Sequence, residues 1–156
     1  MHEARNEQKI EESDKSKRVF NFIIHGADEV GSTPEEVKAE DLGYIKEILV
    51  KIGVNTTPIS IARLGDDIGN KKRPLKVVLK NITDKDKVMK NLHFLKGTER
   101  YFGKISIKDD YTSNERDQIR SLNDKAKKLS AENPEKNFRV RGNSKNGWRF
   151  VSFLKK

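Results

Sequence analysis

Leu75-Lys76-Val77-Val78-Leu79-Lys80 alternates with a period of two: Leu75, Val77 and Leu79 fall on one side, Lys76, Val78 and Lys80 on the other. Aliphatic and β-branched residues in that rhythm predict a strand with one apolar face and one wet, cationic face. Lys71, Lys72, Arg73 and Pro74 come just before it, so the strand starts from a basic loop with a proline at its entrance. A strand of this kind needs neighbours, and the rest of the chain has to supply them.

Between Arg18 and Ala27, Phe20, Phe22 and Ile24 alternate with Asn21, Ile23 and His25, and Gly26 closes this first strand. Ser32-Thr33-Pro34-Glu35 puts a capping residue before a proline at a first helical position. Val37, Leu42, Ile45, Ile48, Leu49 and Ile52 then form an apolar stripe at helical spacing, ended by Gly53. Ile59–Leu64 reads as a second strand with Ile59 and Ile61 on one face, followed by the turn-rich Gly65–Asn70 and the strand described first. Thr83 or Asp84 is the expected cap of a second helix, whose Val88, Met89, Leu92 and Leu95 face inward, and Ile105-Ser106-Ile107 is a short fourth strand. The expected class is therefore α+β. Residues 18–109 follow the split βαβ plan of an RRM-like domain, an antiparallel sheet with two helices on one face and the other face open.

The tail, residues 110–156, is expected to be a small basic domain. Thr112-Ser113-Asn114-Glu115 is a capping-box pattern. Ile119, Leu122, Ala126 and Leu129 follow as a narrow stripe on a charged helix that Asn133-Pro134 ends. Phe138–Gly142 and Trp148–Leu154 read as two strands joined by a Ser-Lys-Asn-Gly turn, a β-hairpin. Residues 1–17 are almost wholly polar, with Ile10 the one large aliphatic residue after Met1. Such a segment is expected to be disordered, or else the end of a coiled coil.

Charge narrows the function. The chain carries a net charge of +9 with a pI near 9.6, a surplus that points to a polyanionic partner, and most of it lies in the tail. Cysteine is absent, which excludes disulfides and thiolate metal sites. No apolar run approaches the roughly 18 residues of a membrane span, so a soluble, intracellular protein without membrane partners is expected. His25 stands alone, and Asp66-Asp67 and Asp109-Asp110 read as turn formers and caps rather than a metal-nuclease site. No nucleophile–base arrangement, Walker loop or dinucleotide fingerprint is present, so the expectation is a non-enzyme without cofactors or metal.

The candidate nucleic-acid-binding residues are cations placed to share faces. Lys71, Lys72 and Arg73 lie in the basic loop and Lys76 on the open sheet face, although strand-edge lysines also guard against aggregation. Arg116 and Arg120 are one helical turn apart, with an ion pair to Glu115 or Asp117 as the competing role. Arg139 and Arg141 alternate on one strand and present two guanidinium groups, whose fork geometry suits phosphate, away from Phe138 and Val140. Arg18, Arg63, Lys145 and Arg149 complete the set. Trp148 and Tyr101 are the candidates for base stacking, with a core role the alternative for Trp148.

FIIHGADE at the first strand, ARLG followed by KKRPLKVVLKN, the IKDDYTSNER junction and NFRVRGN near the end together resemble the first-open-reading-frame protein of LINE-type retrotransposons. The similarity covers its RNA-recognition-motif domain and the C-terminal domain behind it, most of the chain from Arg18 onward. What the resemblance implies is single-stranded RNA binding, with DNA as a second ligand, and nucleic acid chaperone activity in a cytoplasmic or nuclear ribonucleoprotein. It also implies a homotrimer formed through an upstream coiled coil, and backbone contacts in a basic cleft between the two domains. Arg73 matches the family's basic loop and Arg120 a basic position of its C-terminal helix. The ordinary RNA recognition motif stacks bases on sheet aromatics, whereas the outward positions here are Ile23, Lys76 and Val78. Weak stacking on the sheet and strong salt dependence are therefore expected. The alternative reading is a protein–protein interaction module that binds no nucleic acid.

Overall fold

A computed structural model of the chain describes residues 2–66, 72–97, 102–143 and 146–156. Its described residues form an α+β structure with four α-helices, a four-stranded antiparallel sheet and a two-stranded hairpin. Two compact units result, Glu12–Asp110 and a second that joins Met1–Glu11 to Tyr111–Lys156. Helix α1, His2–Arg18, contributes to both. Of the two expectations for this polar segment, disorder or the end of a coiled coil, the structure has a helix rather than disorder, with Ile10 69% exposed and no apolar stripe to mark a coiled coil.

In Glu12–Asp110, β1 (Asn21–His25), α2 (Pro34–Lys51), β2 (Ser60–Arg63), β3 (Leu75–Val78), α3 (Ile82–Asn91) and β4 (Ser106–Asp109) follow one another, with a 3-10 turn at Leu92–Leu95. The sheet order is β2-β3-β1-β4. Alternation decides what β2 and β3 bury, whereas central β1 is buried on both faces from Asn21 to Ile24. Phe22, Ile24, Ile61, Leu75 and Val77 join Ile45, Ile48 and Leu49 of α2, its C-cap Ile52, and Val88 of α3 in one core, with Leu79 just beyond β3. α2 begins as its sequence dictates, with the Thr33 hydroxyl accepting the Glu36 N–H and Pro34 in the first turn.

Two local readings are corrected. Asn81 rather than Thr83 or Asp84 caps α3, its side-chain oxygen accepting the Asp84 N–H. Ile59 is 64% exposed, because β2 starts one residue later and only Ile61 turns inward.

In the other unit, α4 (Ser113–Glu132) starts with the complete capping box of Thr112 and Glu115. Glu11 of α1 adds to it by accepting from the Thr112 hydroxyl and the Asn114 amide. β5 (Lys136–Asn143) and β6 (Gly147–Leu154) pair as an antiparallel hairpin. The hairpin is tied to the end of α4. Ser130 Oγ accepts the Phe138 N–H at 2.7 Å, and the Lys155 ammonium donates to the carbonyls of Ser130 and Asn133. Gly142 is required at its position: φ is +123°, and a Cβ there would lie 2.1 Å from the Gly147 carbonyl oxygen.

Candidate nucleic-acid interface

The hairpin register decides which cations share a face. Arg139 stands opposite Val151, Arg141 opposite Arg149, and Asn137 opposite Phe153. Directly opposed residues, and residues two apart, lie on one face of a strand pair. Arg139, Arg141 and Arg149 are therefore neighbours, all exposed. Among the described residues none of the three is ion-paired with a carboxylate; Arg141 donates only to the Val140 carbonyl, and the Arg139 guanidinium lies 4.5 Å from the centre of the Phe153 ring. Phe138 and Val140 are half-buried on the opposite face, as the alternation of β5 requires.

Trp148 is on that opposite face too, paired with Gly142, and meets Tyr111 edge-on with ring centres 5.9 Å apart. Register therefore keeps the half-buried Trp148 off the arginine face: a residue adjacent to Arg149 in a strand must point away from it.

The sheet face turned away from the core carries a second, smaller cationic group, but the open face expected from the sequence is corrected at its centre, where Ile23 is only 6% and Asn21 4% exposed. One row of opposed residues runs Ala62, Lys76, Ile23, Lys108 across all four strands. Lys76 is half-buried and Lys108 exposed, and neither is ion-paired among the described residues. Val78, Asn21 and His25 lie two residues away on the same face. No aromatic side chain occurs in the row. Partial burial pushes the His25 imidazole below its ordinary value, and the charge of Lys108 adds to the effect. Lys108 was not among the sequence candidates, since only the pairing of β4 with β1 shows that it flanks Ile23.

Three predicted phosphate contacts are corrected. Every N–H of Arg63 has an acceptor: the Asp41 carboxylate at 2.6 and 2.9 Å, and the carbonyls of Ala27, Asp28 and Arg73. Both side chains of the Arg63–Asp41 pair are 5% exposed, so Arg63 ties β2 to α2 and to two loops and presents nothing to a ligand. Arg73 forms a two-pronged pair with Glu29 at 2.9 and 3.0 Å and also donates to the Gly65 carbonyl. Arg73 correspondingly holds the Glu29 carboxyl below its usual range. Arg18 bonds Asp14 and Asp110 at 2.8 and 2.7 Å. In each case a carboxylate occupies the guanidinium fork that phosphate would need.

Other candidates stay open to solvent. Lys72 pairs with Asp28 at 2.8 Å, but both side chains are substantially exposed, and such surface pairs hold little free energy. Arg120 is 3.4 Å from Asp117 with both side chains mostly exposed, and Arg116 makes one long contact to the Tyr111 carbonyl. Lys71, Lys145 and Tyr101 lie outside the described residues.

Asp67 of the Asp66-Asp67 pair lies outside the described residues, and the Asp109-Asp110 pair has structural work. Asp109 binds the Lys85 ammonium, and Asp110 accepts from Arg18 and from the Asn21 amide. Among the described residues no group of three or more His, Asp or Glu side chains gathers to hold a metal ion, and no helix is long and apolar enough to cross a membrane. Comparison with models of known protein families finds none that matches the chain, and a search of curated proteins returns no match either.

Proposed function

We propose that this chain binds single-stranded nucleic acid, RNA first, through its phosphate backbone, and serves as a nucleic acid chaperone in a retrotransposon ribonucleoprotein. The observation that carries the reading is the hairpin face. Three guanidinium groups share it without a carboxylate partner among the described residues, and two of them stand directly opposite each other. Like charges held face to face are unfavourable in the free protein, and an anion that bridges them relieves the repulsion. Guanidinium forks match phosphate oxygens in pairs.

The element order of Glu12–Asp110 and its β2-β3-β1-β4 sheet support an RNA-recognition-motif-like domain. With Ala62, Val78 and a buried Ile23 where bases could stack, that sheet offers Lys76 and Lys108 to a backbone and no Phe, Tyr or Trp ring to a base. Affinity then rests mainly on charge neutralisation, which is tolerant of sequence and rapidly exchanging. Such exchange lets strands melt and anneal. The resemblance extends the proposal to a non-enzymatic protein, trimeric through an upstream coiled coil and located in cytoplasmic or nuclear particles.

The test is a salt titration with a single-stranded oligoribonucleotide. Affinity should fall steeply and log-linearly between low and physiological salt; a flat response rejects phosphate neutralisation. The lack of Phe, Tyr and Trp on that sheet face also favours a second reading, a protein-interaction module. The absence of any complex with RNA or single-stranded DNA at micromolar concentration would support that instead.

A further inference from the structure

Resting on the backbone-binding reading, we infer that the arginine face of the β5–β6 hairpin is a one-nucleotide site, in which a base stacks on Arg139 and a phosphate is held between Arg141 and Arg149. The Arg139 guanidinium carbon lies over a single aromatic ring. Phe153 backs it at 4.5 Å from the ring centre, while Arg139 itself is exposed. A guanidinium fixed over an aromatic ring is a flat, immobilised platform, and nucleobases stack on guanidinium planes as they do on aromatic rings.

Phe153 reaches Arg139 because its strand neighbour across the hairpin is Asn137, one diagonal step away on the same face. Two residues farther along β5, Arg141 faces Arg149. Two strand residues amount to about 7 Å, a distance that a single nucleotide spans between its base and its phosphate. The opposed pair supplies two forks to one phosphate, and its mutual repulsion is what a bound phosphate removes.

This arrangement separates base from charge. Whichever base is bound offers a flat face, so little sequence preference arises, yet a strand without bases loses the Arg139 contact while keeping every phosphate. The ligand class is therefore a base-bearing single strand rather than any polyanion of equal charge.

The experiment compares two decamers of equal charge, oligouridylate and an abasic ribose-phosphate strand, against the full chain, Arg139→Lys and Phe153→Leu, each across a salt series. Arg139→Lys keeps the charge and loses the plane; Phe153→Leu keeps apolar bulk and loses the ring. The unaltered chain should favour oligouridylate by about tenfold or more. Both variants should bring the two decamers close to equal affinity without changing the salt slope. Equal binding of the decamers by the unaltered chain, or retention of its full preference by either variant, overturns the one-nucleotide site while salt-dependent backbone binding stands. Failure to bind either decamer at low salt overturns both.

Discussion

Arg141 stands directly across the β5–β6 hairpin from Arg149, and among the described residues neither is ion-paired with a carboxylate. A fold selected for stability alone has no use for this pair, because opposed like charges in a strand pair weaken it by a few tenths of a kcal/mol or more. Arg149→Thr, a β-compatible replacement, should therefore leave the melting temperature unchanged or slightly higher while lowering affinity for single-stranded RNA. Calorimetry and a binding titration on the same sample check both halves. A clear loss of stability would mean that Arg149 holds the hairpin together.

Arg63 should behave in the opposite way. Its removal leaves the Asp41 carboxylate buried without a counter-charge and three carbonyls without donors. Arg63→Ala should cost about 3–5 kcal/mol of stability, read by denaturant unfolding, whereas Arg139→Ala should cost little.

That contrast shows where sequence reading ended. Alternation placed Phe22, Ile24, Leu75 and Val77 inward and Lys76 outward, and the capping signals of Thr33 and Thr112 located the starts of α2 and α4. Those features depend on a few adjacent residues. Arg63 depends on Asp41, twenty-two residues away on another element, and in isolation it reads as one more surface cation. A signal did exist, since Asp41 interrupts the Val37–Ile45 stripe at i+4 spacing, where a buried acid needs a partner. Lys85 interrupts the α3 stripe in the same manner and meets Asp109. The Arg139–Phe153 and Lys76–Lys108 relationships had no local signal, because they exist only once strand register is fixed.

His25 reports on the sheet face that carries Lys76 and Lys108. The unfolded chain takes up a proton near the ordinary value of 6.5, whereas the folded chain resists it until lower pH. The unfolded state thus binds more protons across that interval, and stability should decline as pH falls from 7 through the folded value. Lys108→Met should bring the His25 titration, followed by NMR, back toward 6.5. Saturation with an oligonucleotide should also raise it, since phosphate charge favours the imidazolium. An unmoved titration on saturation would take the sheet face out of the binding surface.

Gly142 links the fold to the arginine face. Gly142→Ala places a methyl group against the Gly147 carbonyl oxygen at a φ that alanine rarely adopts. The hairpin should lose its register at that end, with amide exchange accelerated in β5 and β6. RNA affinity should fall about as far as in the Arg141→Ala variant, although no charge has been removed. Full retention of affinity would show that the opposed arginines are not held by this register.

The most direct measurement is the slope of log affinity against log salt for a single-stranded oligonucleotide, taken for the unaltered chain and for Arg141→Thr with Arg149→Thr. Each phosphate neutralised on a single strand adds about 0.7 to the magnitude of that slope. If the opposed arginines share one phosphate, the double variant should be shallower by about 0.7, and by up to twice that if each neutralises its own. Identical slopes would contradict the account, because the two guanidinium groups would then neutralise no phosphate at all.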